Sequence, residues 1–205
     1  MISVLQHPLV QNYIGVLRDK DSDAETFRKA VKKIAMHLAI ESMDNLKLKM
    51  TTVKTPLEET KCLKISSNVI IVPVLRAGLG LVSAFQEIYP ECKIGYIGLK
   101  RNEVTFEAEE YYYSMPKINS SDKIIILEIM LATGASTSAT LNRLQLEGVE
   151  DLTVVSIISA PEGVERIRTE FPDVRIITAA LDRGLNENNY ILPGLGDAGD
   201  RFSGT

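Results

Sequence analysis

The chain has 205 residues, 45% of them hydrophobic and 24% charged, and its formal net charge at pH 7 is −4. This length and composition fit one globular domain, so we expect a single domain over residues 1–205. Nucleic acids and membrane surfaces are themselves negatively charged, so the acidic balance argues against a general affinity for either. It leaves room for a locally basic pocket.

The first third of the chain predicts two helices followed by a β-hairpin. Residues 1–13 lack the basic start and long apolar core of a signal peptide, and no uncharged apolar run reaches about 18 residues, so we expect a cytoplasmic protein. Residues 5–17 favour a short helix. Ser22 and Glu25 have capping-box spacing, and the apolar positions after them repeat at helical intervals to about Met43. Residues 46–50 and 61–65 are predicted as strands on either side of a turn at 55–58.

From residue 69 onward, predicted strands and helices alternate. Buried strands are predicted at 69–75, 94–99, 123–129, 152–159 and 174–181, and helices at about 80–89, 136–147 and 161–171. This alternation is typical of βαβ units and predicts an α/β fold with a parallel sheet. The segment at about 100–116 is first charged and then aromatic, which indicates an extended arm or hairpin.

The segment Ile124–Ser136, IIILEIMLATGAS, combines a buried strand, a glycine-containing loop and a helix start. Backbone N–H groups converge at such a helix start and the helix dipole favours negative charge, so residues 132–135 are predicted to bind an anion. Thr133, Ser136 and Thr137 add hydroxyl donors. Glu128 lies near the carboxyl end of the strand, where ligands collect in open α/β sheets, and can accept hydrogen bonds from sugar hydroxyls. The simpler alternative is a strand-to-helix turn with Ser136 as an N-cap.

The C-terminal segment 189–201 holds three glycines, one proline and two aspartates in thirteen residues. This composition predicts neither a regular helix nor a central strand. A frayed terminus is the plain alternative, but low hydrophobicity is typical of disordered ends, and this segment also carries Tyr190, Ile191 and two leucines. We therefore expect an ordered loop whose backbone closely approaches a ligand.

Four segments resemble a known family: VPVLRAGLG at 72–80, GYIGLKRNE at 95–103 followed by YYYSMP at 111–116, LEIMLATGAS at 127–136, and NNYILPGLGDAGDR at 188–201. They are similar to VPILRAGLG, an arginine-bearing strand with a YY-x-x-x-P arm, VDPMLATGGS and NxGYIVPGLGDAGDR of the uracil phosphoribosyltransferases, a type I phosphoribosyltransferase family. The tail motif is the most specific of the four, because it distinguishes this family from phosphoribosyltransferases for other bases.

The resemblance implies a type I phosphoribosyltransferase fold: a parallel sheet flanked by helices, an extended β-arm at about 100–116, and a hood formed by the N-terminal region and residues 182–205. It implies that uracil and 5-phosphoribosyl 1-diphosphate (PRPP) give UMP and diphosphate in pyrimidine salvage, with Mg²⁺ accompanying the diphosphate. It also implies a homodimer or larger homo-oligomer formed through the arm, where Tyr111, Tyr112 and Tyr113 would expose apolar surface. Some members are activated by GTP, so GTP is a candidate activator, although no nucleotide motif in the sequence decides this.

The resemblance also assigns roles to individual residues. Catalysis is assigned to Arg76, Arg101 and Asp197. The planar guanidinium groups of the two arginines are suited to binding diphosphate oxygens. The PRPP-binding set is Arg76, Arg101, Glu128, Met130, Leu131, Ala132, Thr133, Gly134, Ala135, Ser136 and Asp197, and the uracil-binding set is Ile191, Gly196, Asp197 and Ala198. No residue is assigned as a direct metal ligand, since PRPP would mainly hold Mg²⁺ with Asp197 nearby, and the cysteines and histidines lack metal-ligand spacing. The plainer alternatives are a solvated charge for Arg101 and a turn-forming residue for Asp197.

The sequence departs from the family pattern mainly in the phosphate loop. Glu128 replaces an aspartate, Ile129 a proline and Ala135 a glycine, and a Cβ at position 135 is unfavourable if φ is positive there. Elsewhere, Arg183 replaces an acidic residue and Ser203 a phenylalanine. Two hypotheses remain: an active uracil phosphoribosyltransferase, and a catalytically weak member of the same fold that binds UMP or PRPP for regulation. The same chemistry on another pyrimidine is disfavoured by the PGLGDAGD loop.

Overall fold

The computed structural model describes residues 2–101 and 108–205. Its strands are β1 (Ile2–Val4), β2 (Leu48–Lys54), β3 (Glu59–Ile65), β4 (Val69–Pro73), β5 (Lys93–Ile94), β6 (Tyr96–Arg101), β7 (Ala108–Ser114), β8 (Lys123–Leu131), β9 (Asp151–Ser159), β10 (Arg175–Leu181), β11 (Gly184–Leu185) and β12 (Ile191–Leu192). Its helices are α1 (Pro8–Arg18), α2 (Ala24–Ser42), α3 (Leu79–Ile88), α4 (Ala135–Gln145), α5 (Pro161–Glu170) and α6 (Ala198–Ser203).

A six-stranded parallel sheet in the order β1-β10-β9-β8-β4-β5 forms the centre of the molecule. Every residue of β4 is buried, as are most of those in β8 and β9, because helices cover both faces of the sheet. Strands buried on both faces need a nearly continuous apolar sequence, as the segment IIVP and the run at 124–127 provide. The predicted α/β fold with a parallel sheet is confirmed.

The two faces of the sheet pack against different helices. Successive strand residues point to opposite faces. Ile125 and Leu127 therefore join a core that includes α1, α2 and α3, whereas Ile124 and Ile126 join a second core beneath α4 and α5. The first core also holds Ile191, which ties the C-terminal segment to the N-terminal helices.

Two antiparallel hairpins lie outside this sheet. β2 pairs with β3 across a turn closed by a bond from Thr55 N to Glu58 O, as the alternation of residues predicted. β6 pairs with β7, with a register shift at Gly98/Leu99. This second hairpin includes the described residues of the predicted arm, whereas positions 102–107 lie outside the described part of the chain.

Four local features differ from the sequence predictions. The strand predicted at 94–99 is divided, since only β5 joins the central sheet and β6 pairs antiparallel with β7. β1 was not predicted, because three residues are too few to show a period; it pairs with β10 at the sheet edge. The N-cap of α2 is Asp23 rather than Ser22, whose hydroxyl instead donates to Val16 O over 2.7 Å. The tail contains the helix α6, so the expectation of no regular helix there was wrong. Asp197 caps its first turn and Gly204, at φ 80°, ends it. Among the described residues, no helix has the length and apolarity needed to cross a membrane.

Candidate active site

The loop after β4 lies directly against the neighbouring strand β8. Val74 N donates to Leu127 O over 3.0 Å, and a Cβ on Gly78 would come within 2.3 Å of the same oxygen. The loop needs glycine at 78 because of this backbone contact, since the φ of Gly78 is an ordinary −56°. The close approach places the exposed Arg76 at the carboxyl edge of the sheet, where ligands collect in open α/β folds.

The loop after β8 leads into α4 through a left-handed residue. Gly134 has φ 74° and is the N-cap, so the helix begins at Ala135 and the alternative of Ser136 as N-cap is wrong. Ala135 lies in the first turn and is not among the residues with positive φ, so its Cβ imposes no backbone strain. Thr133 Oγ1 accepts a bond from Ala135 N over 3.4 Å. The remaining N–H groups of the first turn are available to an anion.

Glu128 lies within β8 and points to the first turn of α4. Thr137 Oγ1 donates a hydrogen bond of 3.0 Å to Glu128 Oε1. The residue retains some exposed surface, yet its carboxyl group is desolvated, and desolvation raises the pKa of Glu128 to about 7 against the smaller lowering effect of the Thr137 bond. The carboxyl group is therefore about half ionised near neutral pH, which is unusual for a glutamate.

The C-terminal segment covers the carboxyl edge of the sheet and encloses two adjoining clefts. The larger, of about 580 Å³, is lined by Leu75, Arg76, Ala77, Leu99, Tyr111, Met130, Asp197, Gly199, Asp200, Phe202, Ser203 and Thr205. The smaller, of about 230 Å³, is lined by Met130, Ala132, Asn188, Asn189, Tyr190, Ile191 and Asp197. Met130 and Asp197 belong to both linings, so one ligand with two ends can extend from one cleft into the other.

The structure brings several of the predicted site residues together. Arg76, Met130 and Asp197 share the larger cleft, and Ala132 and Ile191 join the smaller one. Thr133, Gly134, Ala135 and Ser136 form the turn and first residues of α4, beside Ala132, while Gly196 and Ala198 flank Asp197. Leu131 is fully buried, its carbonyl accepts a bond of 2.9 Å from Ala160 N, and it is in neither lining. Glu128 is not in either lining, and the side chain of Arg101 lies outside the described part of the chain.

Sequence reasoning missed several residues that line the clefts. The ring of Phe202 covers Gly80, where a Cβ would come within 2.7 Å of it, and this contact closes one side of the larger cleft. Tyr111 lines the same cleft and its ring covers Gly98 in the same way. The aromatic run predicted that Tyr111 belongs to the exposed arm. No local pattern predicted the contact of Phe202, because that contact depends on residues far away in the sequence.

A third cleft, of about 410 Å³, lies at the opposite edge of the sheet. Its lining comes from the residues that precede β9 and β10 and from the ends of α4 and α5, including Gly148, Glu150 and Phe171. Those are the amino ends of the strands, so this cleft is separate from the one that contains Arg76 and Asp197.

The parallel sheet is covered on both faces, a glycine loop and helix start follow one strand, and an arginine loop follows its neighbour. The fold is of the phosphoribosyltransferase class. A hypoxanthine phosphoribosyltransferase from Staphylococcus aureus shares this fold with a TM-score of 0.52 over 76% of this chain and 75% of that one, at 13% sequence identity. At that identity the likeness concerns the fold alone.

Nearer relatives identify the family. The uracil phosphoribosyltransferase family model matches residues 4–205. A uracil phosphoribosyltransferase from Salinibacter ruber is 41% identical over 204 residues, which cover 100% of this chain and 97% of the relative. A solved protein from Aquifex aeolicus aligns with a TM-score of 0.93 at 34% identity, over 98% of this chain and 97% of that one. The chain belongs to the uracil phosphoribosyltransferase family and is a pentosyl-transferring enzyme, which confirms the main hypothesis from the sequence.

Proposed function

We propose that this enzyme transfers the phosphoribosyl group of PRPP to uracil, forming UMP and releasing diphosphate. Separate parts of the site bind the diphosphate, the 5′-phosphate and ribose, and the base. The observation that carries this proposal is the junction of the two clefts. One contains the guanidinium of Arg76, the other is enclosed by the tail loop, and Met130 and Asp197 line both. A sugar at this junction has room for a leaving diphosphate on one side and for a pyrimidine on the other.

Arg76 serves the diphosphate end. Displacement at C1 of the ribose passes through a cationic, oxocarbenium-like centre, so neutralising the leaving group stabilises the transition state. Arg76 is exposed at the cleft, and its planar fork can pair with two phosphate oxygens. Arg101 remains assigned to the same end by the family resemblance.

The loop and first turn of α4 serve the 5′-phosphate. Residues 132–136 present backbone N–H groups at a helix start, and Thr133 and Ser136 add hydroxyl groups. Glu128 serves the ribose hydroxyls in its ionised form, since a carboxylate accepts hydrogen bonds from both. Its raised pKa of about 7 makes this interaction dependent on pH near neutrality.

The tail loop serves the base. Uracil presents carbonyl and N–H groups along one edge, and the backbone at Ile191, Gly196 and Ala198 can complement them, with Asp197 beside the ribose. Gly196 has φ 74°, which favours glycine, and an added Cβ would meet only Arg201 Cδ, at 3.9 Å, so the backbone there leaves room for a ligand to approach. Cytosine reverses part of the donor–acceptor pattern and would leave buried groups unpaired, so we expect strong discrimination against it.

Mg²⁺ fits this site as a partner of PRPP rather than as a resident ion. No cluster of three or more His, Cys, Asp or Glu suited to a metal occurs in residues 2–101 and 108–205. The larger cleft offers the carboxylates of Asp197 and Asp200, and Mg²⁺ in such enzymes is held by one or two carboxylates together with substrate phosphates. When bound, the ion neutralises charge on the diphosphate.

The test is UMP formation from uracil and PRPP with Mg²⁺, comparing the native protein with Arg76→Ala. Removing one preorganised donor to a developing charge typically costs about 100-fold in kcat or more. The matched control is Arg168→Ala, which removes an exposed arginine of α5 whose contact with Glu165 spans 3.8 Å. Equal losses in both variants, or none in either, would contradict the role given to Arg76.

The regulatory alternative rests on the phosphate-loop departures, and the described backbone removes part of its support. Ala135 has no positive φ, and Ile129 is a buried core residue within β8, so neither disturbs the loop. Tight UMP or PRPP binding without turnover in the native protein would favour that alternative over catalysis.

A homo-oligomer is proposed as well, and the β2–β3 hairpin is its best supported surface. Leu48 pairs with Ile65 and Met50 with Leu63, so the four side chains share one face of the hairpin, with 53%, 38%, 63% and 57% of their surfaces exposed. Apolar patches of this kind mark interfaces. Tyr113 of the predicted arm is instead engaged with Glu147 of the same chain.

Light scattering tests this assembly. We expect Met50→Lys with Leu63→Lys to shift the native oligomer toward monomer, and Lys64→Ala on the other face to leave it intact. If the double variant keeps the native oligomeric state, this face of the hairpin is not the interface. Adding GTP to the UMP assay tests whether it is an activator, and cell fractionation tests the expected cytoplasmic location.

A further inference from the structure

An ion pair connects the end of α1 to the tail loop. Arg18 donates to both carboxylate oxygens of Asp182, over 2.5 and 3.0 Å, and to Gly194 O over 3.1 Å. Asp182 in turn accepts a bond of 2.9 Å from Gly194 N. The Asp182 side chain is 3% exposed and that of Arg18 is 27% exposed, so a buried carboxylate is paired with a partly exposed arginine. Both backbone polar groups of Gly194 are thereby held by charged side chains.

A second arginine holds the next part of the same loop. Arg201, in α6, donates to Leu195 O over 2.9 Å, to Asp19 O over 2.6 Å and to Leu17 O. Its guanidinium lies 4.5 Å above the ring of Phe27. Arg201 therefore fastens the loop to the same last turn of α1 that carries Arg18.

The loop between these contacts is the one assigned to the base. Gly194 has φ 65° and a Cβ there would lie 2.1 Å from Ile191 O, so this part of the backbone is folded tightly on itself. A backbone folded in this way is held in shape by hydrogen bonds from side chains outside the loop. Here these come from Arg18, Asp182 and Arg201, which we call the loop bracket, and Arg18 lies 164 residues from Asp182 in the sequence.

We propose that the loop bracket sets the affinity and selectivity for uracil by positioning the backbone of residues 191–198, without touching the base. This inference rests on the proposed function of that loop. Charge-assisted hydrogen bonds are stronger and more directional than neutral ones, so they can hold carbonyl and N–H groups in the geometry that a pyrimidine edge requires. In the described part of the chain the bracket makes no hydrogen bond to the arginine loop or to the first turn of α4, so we expect a larger effect on uracil than on PRPP.

Arg18→Lys is the sharpest test, because a lysine keeps the charge but cannot donate to both oxygens of Asp182 and to Gly194 O together. We expect the KM for uracil to rise about tenfold, the KM for PRPP to stay within twofold, and the dissociation constants of UMP and CMP to draw closer together. Arg201→Lys alters the arginine that donates to Leu195 O, and the same changes in the KM values are expected. It replaces Arg18→Lys as the test variant if that variant folds poorly.

The control is Arg175→Lys, which alters an arginine at the start of β10 that donates to both carboxylate oxygens of Asp44, away from the loop and both clefts. Both KM values should stay at native levels in this variant. Equal increases in the two KM values for Arg18→Lys, or a lower melting temperature with native constants, would overturn the inference. If the native protein forms no UMP, the proposed function fails. Calorimetry of UMP and CMP then tests the bracket separately, and unchanged selectivity in Arg18→Lys would refute it.

Discussion

The raised pKa of Glu128 predicts that this enzyme loses stability as the pH rises through neutrality. Below about pH 4.5 the carboxyl group is protonated in both folded and unfolded chains and has no effect. Between pH 4.5 and about 7 the unfolded chain releases the proton while the folded chain retains it, so stability falls with rising pH. A rise in pKa from 4.5 to about 7 corresponds to a loss of about 3 kcal/mol above pH 7.

Replacing Glu128 by glutamine should remove this loss. The amide oxygen of Gln can still accept the bond from Thr137 Oγ1, and the side chain keeps its length, so packing beneath α4 is preserved. We expect Glu128→Gln to match the native protein near pH 4.5 and to exceed it by up to about 3 kcal/mol at pH 8.5. For a chain of this size that is a rise in melting temperature of about 6–12 °C.

Urea unfolding followed by circular dichroism from pH 4.5 to 8.5 measures this directly. Glu165→Gln is the matched control, since Glu165 is an exposed residue of α5 whose contact with Arg168 spans 3.8 Å. Its stability should follow the native pH dependence. If Glu128→Gln also follows it, the carboxyl group of Glu128 is solvated in solution and the reasoning is refuted. In turnover the same variant should lose kcat/KM for PRPP above pH 7, because a neutral amide replaces the carboxylate proposed for the ribose.

Two further predictions concern backbone fit and the attachment of the arm. Gly194→Ala should raise the KM for uracil at least tenfold in UMP assays, because its Cβ would lie 2.1 Å from Ile191 O. Gly148→Ala, with φ 78° and open space, is the control that isolates the cost of positive φ. Tyr113→Phe removes a hydroxyl bonded to Glu147 and should cost about 1 kcal/mol, seen as faster hydrogen exchange in β7. Unchanged exchange there would show that this bond does not hold the strand.

The sequence was informative where structure is determined locally. The buried run at 124–127 and the apolar strand at 69–73 each predicted a covered parallel strand, because burial on both faces requires apolar side chains throughout. The turn from β8 into α4 was likewise predicted, since strand, glycine and helix start are adjacent in the chain. β1 escaped prediction because its three residues gain their strand geometry from pairing with β10.

The base end of the site was predictable only as a motif. Residues 189–201 suggested an ordered loop, yet the pattern gave no indication of what would order it. The ordering comes from Arg18 in α1 and Asp182 after β10, and charged residues 164 positions apart leave no period or spacing to detect. α6 was missed for a related reason: its six residues include a glycine and are stabilised by a cap and by packing on α2 and α3 rather than by propensity.

The departures from the family pattern differ in what they can change, and the structure separates them. Ala135 lies in the first turn of α4 without a positive φ, and Ile129 is a buried core residue of β8, so neither change strains the backbone. Glu128 is different, because its role depends on the reach and the charge of the side chain itself. Its carboxyl group is held by Thr137 and desolvated beneath α4, so an added methylene changes both position and pKa together. The catalytic consequences of this chain's divergence therefore concentrate at Glu128.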